Sequence, residues 1–262
     1  MELGLTNKSV IVLASSKGLG KAIATQFAKE GARLMITSRN KVTLEQTAEE
    51  IKRETGAQVN TYVCDITDYD QIKGLVQKTV DLYGTVDVLV NNSGGPQGGN
   101  FDDLDDQKWI DAFQLTLLSY IRTIREVLPY MRNNKKGHIV NVASTSIKQP
   151  IDGLLLSNTF RTGITGLAKS LSQEFAEDNI LINTVGPGKF STDRVIEIDK
   201  LSAVRAGLSN EEFRTKSEKA IPIGRYGDPA EFAKTVVFLA SEANTYITGQ
   251  AILIDGGLTK AL

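Results

Sequence analysis

Short, almost wholly apolar runs alternate along this chain with longer stretches in which apolar positions recur every three or four residues. Val10–Leu13, Ala32–Thr37, Val59–Cys64, Asp87–Val90, His138–Val142, Leu181–Val185 and Ala251–Ile254 read as strands, because they are too short for helices and rich in branched side chains. Between them, helical spacing predicts helices over Gly18–Glu30, Thr43–Thr55, Tyr69–Tyr83, Asp106–Met131 and Phe160–Asp178. Strands that are apolar on both faces must be covered on both, and parallel neighbours are joined by right-handed helical crossovers. The pattern predicts an α/β fold: a Rossmann-like, doubly wound parallel sheet of about seven strands with helices on both faces, an αβα sandwich. A chain of 262 residues suits a single dinucleotide-binding domain over 1–262. The rhythm breaks at 189–223, where Val195, Ile196, Ile198, Val204, Leu208 and Phe213 are spaced for one or two amphipathic helices, over a cleft or on the surface.

Composition removes several classes of function. The formal net charge is -1 and opposite charges are interspersed, so no nucleic-acid partner is expected; Lys135-Lys136 is too short a basic run to matter. No segment approaches the roughly 20 apolar residues of a membrane span, so no membrane partner is expected. The chain shows no secretory leader pattern, which favours a cytoplasmic location. Cys64 is the only cysteine and His138 the only histidine. An intrachain disulfide, a thiolate cluster, a multi-histidine metal site and a Ser-His-Asp triad are all disfavoured, and no metal is predicted.

In open α/β sheets, ligands bind beyond the carboxyl ends of the strands. Ala14, Asp65, Asn91, Ser144 and Gly186 all fall at such ends. Ala14-Ser15-Ser16-Lys17-Gly18-Leu19-Gly20 joins the first strand to the first helix, where glycines allow pyrophosphate to approach the backbone and the helix N-terminus favours its charge. The second strand ends in Thr37-Ser38-Arg39, with no acidic residue to hold a ribose 2′-hydroxyl. Arg39 and Lys17 can instead pair with a 2′-phosphate, so NADP(H) is predicted in preference to NAD(H).

Further motifs carry a resemblance. Asn91-Asn92-Ser93-Gly94, Asn141-Val142-Ala143-Ser144, Gly166-Leu-Ala-Lys-Ser-Leu171, Pro187-Gly188 with Thr192, and Phe238-Leu-Ala-Ser241 before Asp255-Gly-Gly257 follow in order. From about Leu5 to Leu258 the chain resembles the classical short-chain dehydrogenase/reductase family. That resemblance implies a small carbonyl or alcohol substrate and a homotetramer, with a homodimer as the other assembly. It places Cys64, Asp65 and Ile66 beside adenine, Asn92, Ser93 and Gly94 over a ribose, and Pro187, Gly188, Phe190 and Thr192 beside nicotinamide. It makes 189–223 a substrate lid. Ala14 stands in the slot of the family's first glycine, which is acceptable if its φ is negative.

The catalytic slots are where the chain departs. The family's Asn, Ser, Tyr and Lys correspond here to Thr116, Ser144, Ser157 and Arg161, so only the Ser is retained. The run Leu156-Ser157-Asn158-Thr159-Phe160-Arg161 resembles a subgroup that looks like 3-oxoacyl-[acyl-carrier-protein] reductases yet lacks the active-site Tyr. An aliphatic hydroxyl is a far weaker acid than a phenol, and Arg does not relay protons. Three readings follow. Ser144 and Ser157 orient a proton-carrying water supported by Arg161; Asp152 or Tyr226 supplies the proton; or the protein is a catalytically silent NADP(H)-binding sensor or partner subunit. Docking of an acyl-carrier protein would use cations such as Lys148, Arg194 and Lys200.

Overall fold

The computed structural model describes residues 2–261; Met1, Leu262 and the side chain of Leu201 lie outside the described residues. The strands are β1 (Ser9–Val12), β2 (Arg33–Ser38), β3 (Val59–Val63), β4 (Val88–Asn91), β5 (Gly137–Val142), β6 (Ile180–Pro187) and β7 (Ala251–Ile254). They form one sheet in the order β3-β2-β1-β4-β5-β6-β7, and every pairing is parallel. Strand order reverses between β1 and β4, which opens a crevice at their carboxyl ends.

The alternation of side chains explains why the strands read as unbroken apolar runs. Val10 and Val12 of β1 join one core, with Val88, Val90, Val140, Val142, Leu34 and Ile36. Ile11 between them joins the other, with Met35, Leu89 and Ile139. The first core is covered by α1 (Gly18–Lys29), α2 (Lys41–Thr55) and α9 (Pro229–Leu239). The second is covered by α3 (Tyr69–Tyr83), α5 (Ser119–Asn133) and α6 (Leu155–Glu174). Both faces are dry, as a parallel sheet requires.

Several boundaries differ from expectation, and two matter for the site. The helix expected over Asp106–Met131 is interrupted: α4 (Asp106–Phe113) runs into a π-helical turn at Gln114–Leu118 before α5. Thr116 lies in that turn, and its hydroxyl donates to the Ala112 carbonyl at 2.5 Å. In turn, α6 starts at Leu155, five residues before the expected Phe160, which puts Ser157 in its first turn and Arg161 one turn later. The segment 189–223 folds as two helices, α7 (Asp193–Ala206) and α8 (Asn210–Lys219), each closed at its start by a side-chain cap from Thr192 and Ser209.

Candidate active site

The loop from β1 to α1 is the first wall of the crevice. Lys17 is the N-cap of α1 but provides no side-chain cap, so the first-turn N–H groups face outward without a protein acceptor. A Cβ on Gly20 would collide with the Ala14 carbonyl and crowd Asn92 Nδ2, so only glycine lets the helix start this close to the loop. These features fit a pyrophosphate. Ala14 corrects one expectation: its φ is +46°, in the left-handed region. A methyl-bearing residue there costs roughly 1–2 kcal/mol. Asn92 Nδ2 holds the strained turn from below, donating to the Leu13 and Ala14 carbonyls at 3.3 and 3.2 Å.

Not every residue of the loop is free for a ligand. Ser15 is buried; its N–H donates to Thr37 O at 2.9 Å, and its hydroxyl donates to Val12 O at 2.7 Å and accepts from Thr37 N at 3.0 Å. Ser15 therefore ties the loop to β2 and has no donor left for a phosphate. Ser16 accepts from the Thr47 hydroxyl through its carbonyl, and Leu19 packs on the first core. Lys17 and Arg39 are both exposed, and neither takes part in an ion pair among the described residues. Ser38 turns its hydroxyl to Asn40 O. Arg39 follows directly from the end of β2, the strand next to β1, on the side of the crevice where α1 begins.

Asp65 is half-buried beyond β3, with Oδ1 accepting from the backbone and hydroxyl of Thr67 at 3.0 and 2.8 Å. Cys64 and Ile66 beside it are buried. Burial pushes the Cys64 thiol up to about 12, so it stays protonated and inert. Across the crevice, β6 carries the chain to Pro187 and Gly188. A Cβ on Gly186 would lie 2.8 Å from the Ser144 carbonyl, so glycine allows β6 and the end of β5 to approach. Phe190 packs edge-on against Phe232 at 5.2 Å and belongs to the core. The methyl of Thr192 lies across from Gly18, linking the start of α7 to the glycine loop.

The four catalytic slots come out unequally. Ser144 caps a short 3-10 turn (Thr145–Ile147) by accepting from Ser146 N at 3.1 Å, which leaves its own O–H to donate. Ser157 is 7% exposed and sits in the first turn of α6. Arg161 is buried; Nη1 donates to Val142 O at 3.1 Å and Nη2 to Gly94 O at 3.3 Å. Its other N–H groups remain available to a ligand. Thr116 is fully buried with its hydroxyl turned into its own helix, so it shapes that helix and presents no donor to a substrate.

Neither alternative acid is in place. Asp152 lies exposed in the loop before α6. The Tyr226 hydroxyl donates to Asp199 Oδ2 at 2.6 Å and accepts from Lys189 Nζ at 3.1 Å, which commits it to the start of the α7–α8 segment. Burial and the Asp199 hydrogen bond both raise its pKa. Sequence reasoning missed two contributors. Lys189, next to Gly188, bonds at once to Asp199 of α7, Ser217 of α8 and Tyr226. Tyr120, one turn beyond Thr116, reaches Val142 O and Ser93 Oγ; its four-residue spacing from Thr116 was the available signal. Among the described residues no helix is long and apolar enough to cross a membrane, and no cluster of three or more His, Cys, Asp or Glu could hold a metal.

Comparison with known proteins agrees with this geometry. A family model described as enoyl-(acyl carrier protein) reductase matches residues 13–259. The chain is 34% identical over 254 residues to the 3-oxoacyl-[acyl-carrier-protein] reductase FabG of Thermotoga maritima, covering 97% of this chain and 98% of that protein. Among solved structures it is similar to the L-sorbose reductase of Gluconobacter frateurii complexed with NADPH and L-sorbose, with TM-score 0.95, 30% identity and complete coverage of both chains. It is also similar to YwfH, an NADPH-dependent reductase involved in bacilysin biosynthesis, with TM-score 0.93, 30% identity and coverage of 97% and 99%. With the crevice, the glycine loop and the Ser144 turn in the expected places, the chain belongs to the short-chain dehydrogenase/reductase family, among its 3-oxoacyl-[acyl-carrier-protein] reductase-like members.

Proposed function

We propose that this protein is an NADP(H)-dependent oxidoreductase that interconverts a carbonyl and an alcohol at a site made by Ser144, Ser157 and Arg161. The uncapped start of α1, the space at Gly20 and the unpaired cations Lys17 and Arg39 suit a dinucleotide with a 2′-phosphate. The related sorbose reductase and YwfH are NADPH enzymes, which supports the same preference here. The bound cofactor supplies or accepts the hydride. Everything else falls to the chain's own residues. Ser144 donates its hydroxyl proton as a hydrogen bond to the substrate oxygen, where negative charge develops during reduction. Ser157 holds a water that passes a solvent proton to that oxygen. Arg161 presents its unused N–H groups to the nicotinamide ribose and stabilises the oxyanion by its fixed charge.

The observation that carries this reading is the orientation of Ser144: its oxygen is engaged by Ser146 N, and its proton is left for the substrate. A 3-oxoacyl thioester on a carrier protein is one substrate of the right class, given the likeness to the Thermotoga enzyme; a sugar ketone is another, given the likeness to sorbose reductase. The inward turn of Thr116 favours a second reading, cofactor binding without turnover as a sensor or partner subunit. One experiment separates the two. NADPH and NADH affinities are measured for the native protein and Arg39→Ala, then turnover is screened over ketones, sugars and acyl thioesters with Ser144→Ala as control. NADPH preference lost in Arg39→Ala, with turnover falling at least about 100-fold in Ser144→Ala, is expected. Binding without turnover on any substrate would favour the second reading. The half-exposed apolar residues Ile110 and Phe113 and the edge strand β7 suit packing between copies. We take the assembly to be a homotetramer, and light scattering distinguishes it from a dimer.

A further inference from the structure

Three segments that border the crevice meet on one carbonyl oxygen. Val142 ends β5, two residues before Ser144, and its carbonyl accepts from Tyr120 Oη at 2.9 Å and from Arg161 Nη1 at 3.1 Å. The same Tyr120 hydroxyl lies 3.3 Å from Ser93 Oγ, and Arg161 Nη2 donates to the carbonyl of the next residue, Gly94. The contacts close a ring: Ser93, Tyr120, the Val142 carbonyl, Arg161, Gly94 and back along the chain to Ser93. Its members come from the loop after β4, from α5, from β5 and from α6.

The phenol ring of Tyr120 is fully buried, packed with Ala143 and Ile164. A phenylalanine would fill that volume as well, so the hydroxyl is the feature that calls for an explanation. Burial raises its pKa more than the Arg161 charge lowers it, and it stays a neutral donor at physiological pH. It is sealed from the crevice and is not itself the acid. What it touches is informative: a hydroxyl in the ribose loop and the acceptor that also holds the guanidinium. Arg has about 2 kcal/mol of rotamer entropy, so a site that needs its charge in one place must anchor it.

We propose that Tyr120 is a positioning residue, which holds Arg161 through the shared Val142 carbonyl and Ser93 through its hydroxyl, so that cation and ribose loop keep one fixed separation. The proposal rests on the reading of Arg161 as a ribose contact given above.

The test is a double-mutant cycle of Tyr120→Phe and Arg161→Met, read by NADPH dissociation constant and by kcat and KM on a substrate found in the screen. Arg161→Met should weaken NADPH about tenfold, and Tyr120→Phe about three- to tenfold. The double variant should be no weaker than Arg161→Met alone, because the hydroxyl acts through the guanidinium. A Tyr120→Phe constant within twofold of native, or losses that multiply, would overturn the proposal while leaving Arg161 in its role. An inert Arg161→Met would overturn the ribose reading and this proposal with it. Should Tyr120→Phe fail to fold, the cycle of Ser93→Ala with Arg161→Met replaces it: coupling above twofold supports the ring, and additive losses overturn it.

Discussion

Replacing Lys189 with methionine tests how the α7–α8 segment is held. The Lys189 ammonium bonds Asp199 Oδ1 at 3.3 Å, Ser217 Oγ at 3.0 Å and Tyr226 Oη at 3.1 Å, so one charge joins the entry of that segment, both of its helices and its exit. The Phe213 and Tyr226 rings flank it, each 5.3 Å away, and the Arg214 guanidinium stacks on Tyr226 at 3.6 Å. Lys189→Met keeps the aliphatic bulk and leaves the Asp199 carboxylate without its cation. Orphaning one member of a buried pair costs 3–5 kcal/mol. Here the side chains are 33% and 11% exposed, and solvent screening reduces the cost to about 2 kcal/mol. That free energy corresponds to about a 30-fold loss of hydrogen-exchange protection over 193–219. It corresponds to a Tm lowered by about 4–8 °C if the α7–α8 segment melts together with the core. The decisive arm is Lys189→Met with Asp199→Asn, which removes the stranded charge and should recover at least half of the lost protection. Protection unchanged in Lys189→Met, or equal in single and double variants, would refute the idea that the ammonium holds the segment.

Two further outcomes follow from local geometry. Ala14→Gly removes about 1–2 kcal/mol of left-handed strain at φ +46° but adds about 0.5–1 kcal/mol of glycine chain entropy, so Tm should rise by about 1–4 °C and NADPH should bind at least as tightly. A fall in either would show that the Ala14 methyl packs usefully. Glu242 holds Lys8 and Lys136 at 3.0 and 2.9 Å, and hydrogen bonds from Lys136 and then Lys8 bring its pKa from 4.5 down to about 2. A depressed carboxylate stabilises fully above its unfolded pKa and loses that contribution as pH falls through the folded one. The Tm difference between native protein and Glu242→Gln should thus be constant above about pH 5 and vanish as pH approaches 2. A difference that does not change with pH would mean that the charge is irrelevant.

Much of the fold was readable because it rests on short-range pattern. Val10, Ile11 and Val12 must be apolar on both faces, and this alone implies helices above and below the sheet. The glycine loop, Asn92 and Ser144 were legible for a similar reason: each serves a local turn at a strand end. The interrupted helix at Thr116 was not, because regular helical spacing continues on either side of the π-helical turn. The bonds that tie Ser15 to the sheet were not legible either, since its partners Val12 and Thr37 lie on two different strands. The sign of φ at Ala14 also depends on the loop's closure over Asn92.

Residue types and their spacing determined on their own that the chain would form a doubly wound sheet and lack the customary Tyr and Lys. Hydrophobic periodicity and turn chemistry act within a few residues, so they are written in order along the chain. Tertiary structure decided what surrounds Arg161. Arg161 is fixed by carbonyls of Val142 and Gly94, 19 and 67 residues away, and Tyr120 reaches the same acceptor from another helix. Hydrogen bonds of that reach exist only once the sheet has brought its strand ends together, because direction and distance to a partner are properties of the packed molecule and not of sequence spacing.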